Sequence, residues 1–149
     1  MGWFNYYGLI FMAIIMTPNI IYAVKHKSEG SGYRNKAVEL LEQIGRYGCF
    51  VLMIFNIPYT YLGFHFPHAM LAYLTVNAVL VFAYCLAWVL LWNKSGIAKA
   101  LLLSVIPSIV FLFSGIVIAS IPLIAFAVVF SVFHIFISLK NATRKNGGQ

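Results

Sequence analysis

The chain has 149 residues, of which 62% are hydrophobic and only 9% are charged, with a formal net charge of +7. About a quarter of the residues in an ordinary soluble domain are charged. The composition therefore excludes a soluble globular protein and indicates an integral membrane protein.

Five apolar stretches follow one another along the chain, each close to the ~20 residues that an α-helix needs to cross ~30 Å of hydrocarbon. They cover residues 3–24, 48–66, 70–92, 97–119 and 121–139. The sequence predicts an all-α bundle of five transmembrane helices within residues 1–140, followed by a cytoplasmic tail at 141–149. In an alternative with four spans, the Pro-bearing segment 48–66 is re-entrant.

A more polar segment precedes the second span and has the period of an amphipathic helix at residues 35–47. We expect this helix to lie in the headgroup plane or to extend the second span into the cytoplasm. Its polar face includes Glu39, Glu42 and Arg46. That face is predicted to meet water, either as a solvated surface or as a docking site for a cytoplasmic partner.

The ten Lys and Arg residues all fall on one side of a five-span bundle. They lie between the first and second spans, around the turn between the third and fourth, and after the fifth. The positive-inside rule then places the N-terminus outside and the C-terminus in the cytoplasm, in a bacterial-type cytoplasmic membrane. The cations predict affinity for anionic lipid headgroups. They form no continuous stripe, so no nucleic-acid partner is expected.

Several polar side chains interrupt the apolar stretches, where an unsatisfied hydrogen-bonding group is costly. We expect Pro58 and Pro107 to kink two helices at one depth near the bilayer centre and to free a backbone carbonyl in each. Facing kinks would open a small polar pocket, as in transporters with interrupted helices. Alternatively, the polar side chains only satisfy these carbonyls and hold the helices together. The predicted ligand-binding residues are Asn56, Asn77, Tyr84, Ser108 and His134.

Motifs for catalysis or cofactor binding are not found in the sequence. It has no Walker loop, GxGxxG, GxSxG or HExxH motif, and its three acidic residues are all Glu outside the apolar stretches. Cys49 and Cys85 form no metal or redox motif, and His65 and His68 lack a third ligand on the outer side. No catalytic residue, cofactor or metal is therefore predicted.

The leading hypothesis is a small polytopic membrane protein that binds a small, largely apolar molecule in an intramembrane pocket, for transport or sensing. A second hypothesis is a non-catalytic membrane subunit or adaptor that docks a cytoplasmic protein through residues 35–46. A third is a small membrane-embedded enzyme that uses His134 or the polar face of the amphipathic helix. Assembly with further copies of the chain is compatible with each hypothesis.

Overall fold

The computed structural model describes residues 2–25, 35–94 and 96–146. Within these ranges the chain is all-helical, and a single β-bridge joins Phe4 to Phe55. The all-α prediction is confirmed. The helices are α1 (Tyr6–Lys25), α2 (Lys36–Ile54), α3 (Ala69–Leu90), α4 (Ile97–Ile118) and α5 (Ile121–Asn146).

The helices contact one another in a closed ring. The main contacts join α1 to α2 and α3, α4 to α3 and α5, and α5 to α2, while α2 and α4 meet only slightly. Helices α1 and α2 run antiparallel, because the Asn5 N–H at the start of α1 donates to the Ile54 carbonyl at the end of α2 (2.7 Å). The order around the ring is therefore α1, α2, α5, α4, α3.

Four of the described helices are long and apolar enough to cross a membrane: α1, α3, α4 and α5. Helix α2 is more polar but has 19 residues, which gives it a length of about 28 Å at 1.5 Å per residue. Large apolar side chains cover the exposed side of α2, namely Leu40, Leu41, Ile44, Tyr47 and Val51. The fold is thus that of a multi-pass membrane protein with four apolar helices and one of mixed character.

The structure corrects the bounds of the predicted second span. The amphipathic segment and the first part of that span form one continuous helix, α2, which ends at Ile54. The helix begins after Asn35, whose side-chain oxygen accepts a hydrogen bond from the Ala37 N–H (3.2 Å). Residues 55–68 form an irregular connection to α3. The apolar run at 48–66 is therefore only partly helical.

The predicted pair of facing proline kinks is wrong. Pro107 lies inside α4, but Pro58 lies in the irregular connection, where its missing N–H costs no helical hydrogen bond. Asn56 likewise lies beyond the last residue of α2, at one end of the bundle. Its backbone N–H donates to the Trp3 carbonyl (2.8 Å) and its side chain donates to the Gly2 carbonyl (3.0 Å). Asn56 thus ties the N-terminal segment to the end of α2.

The orientation of α2 differs in part from the predicted one. Glu42, on the face expected to meet water, is 4% exposed, whereas Leu41 and Ile44 are 41% and 47% exposed. In a lipid environment apolar side chains face outward without penalty, and charged side chains need partners inside the protein. The polar face of α2 therefore turns partly into the bundle.

Candidate functional site

A cavity of about 240 Å³ lies between the five helices, all of which contribute lining residues. We call it the central cavity. Each helix places one polar or proline residue in its wall: Asn19, Arg46, Tyr84, Pro107 and His134. The rest of the wall is apolar and includes Ile15, Met16, Phe50, Phe111 and Phe130. Small-molecule sites typically have ~300–1,000 Å³, so the central cavity fits a compact molecule or part of a larger one.

A more open pocket of about 290 Å³ adjoins the central cavity and shares Asn19 and His134 with it. We call this pocket the vestibule. Its wall also contains Trp88 of α3, Lys94 of the turn after α3, and Lys99 of α4. Because that turn lies at one end of the bundle, the vestibule lies between the central cavity's polar residues and the end where Lys94 and Lys99 are found.

A polar cluster joins α2 to α5 beside the central cavity. Glu42 Oε1 accepts hydrogen bonds from Arg46 Nη2 (2.5 Å), Arg46 Nε (3.1 Å) and His134 Nδ1 (2.8 Å). Because a carboxylate only accepts, Nδ1 of His134 is the donor in its hydrogen bond to Glu42. The other side of the cluster is apolar, since the His134 ring stacks on Phe130 with centroids 4.6 Å apart. The cluster gives the buried Glu42 charge its partners.

The structure brings together two of the five predicted ligand-binding residues, Tyr84 and His134, which both line the central cavity. The Tyr84 hydroxyl donates to Asn19 Oδ1 (2.9 Å), which connects α3 to α1 at the cavity wall. Asn19 and Arg46 also line the cavity, although the sequence did not single them out as ligand-binding residues. Both lie near the ends of predicted spans that carry Lys and Arg, where polar residues are common. Their positions in the sequence therefore did not indicate a ligand-binding role.

The other three predicted residues lie outside both cavities. Asn77 and Ser114 exchange two hydrogen bonds between α3 and α4 (3.1 and 3.3 Å). The Ser108 hydroxyl donates to the Ser104 carbonyl within α4 (2.8 Å). Asn56 binds the N-terminal segment. In these places the polar side chains form hydrogen bonds within the protein. This agrees with the alternative prediction that such side chains only hold the chain together.

The predicted docking face on α2 is not continuous on the protein surface. Glu39 and Arg46 are partly exposed, but Glu42 between them is buried and bonded to α5. A partner that approached this face would reach Glu39 and Arg46 without reaching Glu42. The arrangement therefore gives the adaptor hypothesis less support than the sequence alone did.

Within residues 2–25, 35–94 and 96–146, no three His, Cys, Asp or Glu side chains are grouped so that they could hold a metal ion. Comparison of the chain with models of protein families, with curated proteins and with solved structures gave no match.

Proposed function

We propose that the chain is a small polytopic membrane protein that binds a small, largely apolar molecule in the central cavity and vestibule, in order to move or to sense it. The observation that carries this proposal is that all five helices contribute to one cavity wall. The wall is mainly aromatic and aliphatic, with a few polar side chains, as is typical of small-molecule sites. These are Asn19, Arg46, Tyr84 and His134. A bound molecule would contact several helices at once, so that its binding could favour one packing of the ring over another.

The proposal includes α2 as a fifth membrane-crossing helix. Its length, its apolar outer side and the internal pairing of Glu42 support this assignment. With five crossing helices, the segments that contain Lys and Arg lie at one end of the bundle. The positive-inside rule then places that end in the cytoplasm of a bacterial-type cell and the N-terminus outside.

Cysteine labelling tests whether α2 crosses the membrane. Lys36→Cys and Leu62→Cys place exposed thiols at the first residue of α2 and beyond its last residue, Ile54. In intact cells, a membrane-impermeant maleimide is expected to label Leu62→Cys, and to label Lys36→Cys only after permeabilisation. The unchanged protein is the control, because Cys49 is buried and Cys85 is half-buried within α3. Labelling of both variants from the same side would show that α2 does not cross.

Ligand binding is tested with an uncharged photoreactive probe, a trifluoromethyl-diazirinyl benzyl alcohol, on the purified protein in lipid nanodiscs. Mass spectrometry of the irradiated protein is expected to find crosslinks at Leu103 and Phe111, which line the vestibule and the central cavity. In Ala100→Trp, the new indole occupies the vestibule, and these crosslinks should fall several-fold. Ala98→Trp is the matched control, because Ala98 is exposed on the same helical turn and should leave the crosslinks unchanged.

Two results would contradict the proposed binding site. One is a probe that crosslinks only to the lipid-facing surface, for example at Val79 or Val89, which are 62% and 73% exposed. The other is cavity crosslinking that Ala100→Trp and Ala98→Trp reduce equally. Either result would show that the cavities do not take up a small molecule specifically.

A further inference from the structure

Pro18 lies inside α1, next to Asn19, which lines both cavities. Because proline has no N–H, the Ile14 carbonyl loses its partner within the helix. The following carbonyl, that of Ile15, accepts a hydrogen bond from the Asn19 side chain (3.0 Å). Sharp bends in helices occur at places where the backbone hydrogen bonds are interrupted in this way. Pro18 is therefore a position at which α1 can bend.

The half of α1 before Pro18 is firmly attached to its neighbours. Besides its backbone bond to α2, Asn5 donates from its side chain to the Tyr73 hydroxyl of α3 (3.1 Å). A Cβ atom on Gly8 would overlap the carbonyl group of Met53, so the backbones of α1 and α2 are in contact there. The buried residues of α1 all precede Pro18, and they are Gly8, Phe11, Met12 and Ile15.

The second half of α1, residues 18–25, forms part of the cavity walls and is less firmly attached. None of the residues of this described segment is buried. Asn19 lines both cavities and Tyr22 lines the vestibule. The Tyr84 hydroxyl donates to Asn19 Oδ1 (2.9 Å), and the ring centroids of Tyr22 and Trp88 are 5.0 Å apart. Both contacts join side chains of this segment to side chains of α3, so that the segment can separate from α3 without a change in the rest of the ring.

On the basis of the proposed function, we propose that residues 18–25 form a gate through which molecules enter the cavities. The gate bends at Pro18, away from α3, and the hydrogen bond between Tyr84 and Asn19 holds it closed. Since α1 and α3 are neighbours in the ring, the open gate leaves a gap between them that faces the bilayer. The molecules that enter are therefore those that dissolve in the membrane.

A small bend is enough to open such a gap. The last residue of the gate, Lys25, lies about 10 Å along the helix from Pro18 at 1.5 Å per residue. A bend of about 20°, the lower limit of a sharp helix kink, moves this residue by about 4 Å. Carbon atoms of neighbouring groups are in contact at ~3.5–4.0 Å, so the gap admits a flat aromatic ring.

Distances between spin labels test whether the gate moves. In a background of Cys49→Ala and Cys85→Ala, labels are attached to Val24→Cys in the gate and Leu102→Cys on α4, both at exposed positions. Pulsed electron resonance of the protein in lipid nanodiscs is expected to resolve a shorter and a longer distance, about 4 Å apart. The benzyl alcohol probe described above should change the ratio of the two populations.

Two substitutions test the hinge and the closing hydrogen bond separately, without the probe. Pro18→Ala restores a backbone donor for the Ile14 carbonyl, and it should lower the ratio of the longer to the shorter distance about fivefold, the effect of one hydrogen bond. Tyr84→Phe removes the hydroxyl that is bonded to Asn19, and it should raise the same ratio by a similar factor.

Matched controls are available for the labels and for both substitutions. Labels on Ile10→Cys and Ile116→Cys, at exposed positions on the attached half of α1 and on α4, should give a single distance. Ile20→Ala, at an exposed position in the gate, leaves the backbone unchanged. Tyr73→Phe removes a hydroxyl at the attached half of α1. Neither should change the distances between the gate labels.

Flash irradiation at increasing times after mixing measures how fast the probe enters. Crosslinking at Phe111, in the wall of the central cavity, should develop about fivefold more slowly in Pro18→Ala than in the unchanged protein, and at an unchanged rate in Ile20→Ala. Crosslinking at the same rate in Pro18→Ala would overturn the gate and leave the cavity as a binding site. A single distance between the gate labels, in both the unchanged protein and Tyr84→Phe, would also overturn it. If the probe crosslinks neither cavity in any variant, the proposed function fails as well.

Discussion

Replacing Glu42 with Ala is expected to lower the free energy of unfolding by about 3 kcal/mol, the lower end of the range for breaking a buried ion pair. The Glu42 side chain is 6% exposed and receives hydrogen bonds from both Arg46 and His134. Without the carboxylate, the Arg46 charge loses the acid with which it is paired. The loss stays at the lower end because the Arg46 side chain is 39% exposed and keeps part of its hydration. Titration of the purified protein with sodium dodecyl sulfate, followed by circular dichroism, measures the change.

Two further variants show whether the loss arises from the cluster. Glu39→Ala, on the same helix but partly exposed, should change the free energy of unfolding by no more than about 0.5 kcal/mol. The double substitution Glu42→Met/Arg46→Met should recover much of the stability lost in Glu42→Ala, since apolar residues of similar size often replace a buried ion pair without loss. If Glu42→Ala and Glu39→Ala are equally mild, the cluster does not hold α2 against α5.

The cluster also connects the proposed binding site to the packing of the ring. His134 lines both cavities and, through Nδ1, bonds the carboxylate of Glu42 on α2. Asn19 also lines both cavities, and its side-chain oxygen accepts a hydrogen bond from the hydroxyl of Tyr84 on α3. A molecule that displaced either side chain would therefore act on a contact between two helices. In the proposed function, these two residues are the route by which a bound molecule affects helix arrangement.

The helical class, the membrane environment and two of the cavity residues could be predicted from the sequence. Hydropathy identifies apolar helices because the bilayer requires a minimum length of apolar chain. Tyr84 and His134 were found because polar side chains inside such stretches need partners or a function. The position of Asn56 within an apolar run gave the same signal, but the residue lies beyond the end of α2 and bonds the N-terminal segment.

The pairing of Glu42 with His134 could not be predicted, because the two residues are 92 positions apart. The helical period shows which residues of α2 share a face, but it does not show which face turns inward. For a helix in water the polar face is exposed, and the sequence analysis accordingly placed Glu42 on a face that meets water. In lipid the preference can reverse. The start of α2 after the N-cap Asn35 agrees with the start of the predicted amphipathic helix. The end at Ile54 was missed, because hydropathy follows the apolar run to residue 66 and does not mark where the chain leaves the helix.

A second large loss of stability is expected for a substitution at Gly45, where the backbones of α2 and α5 approach closely. A Cβ atom on Gly45 would lie 2.7 Å from the backbone N of Phe130 and 2.8 Å from its Cα. Small residues at such crossings let membrane helices approach closely. Because a backbone cannot turn aside, Gly45→Ala forces α2 away from α5 and strains the bond from His134 to Glu42, one turn away. We expect a loss of about 1–3 kcal/mol in the free energy of unfolding, the range for overpacking.

Gly48→Ala, one turn further along α2, provides the matched comparison. Its Cβ would lie 2.5 Å from Cγ of Phe126 and closer still to Cδ1, so that side chain must change its rotamer. The nearest atoms all belong to a half-buried side chain, and moving a side chain costs less than separating two backbones. Both substitutions gain about 1 kcal/mol of helix propensity over Gly, so the difference between them reports the interface alone. Detergent titration should show Gly45→Ala to be clearly the less stable variant. Equal stability, or greater loss in Gly48→Ala, would mean that α2 and α5 do not approach most closely at Gly45.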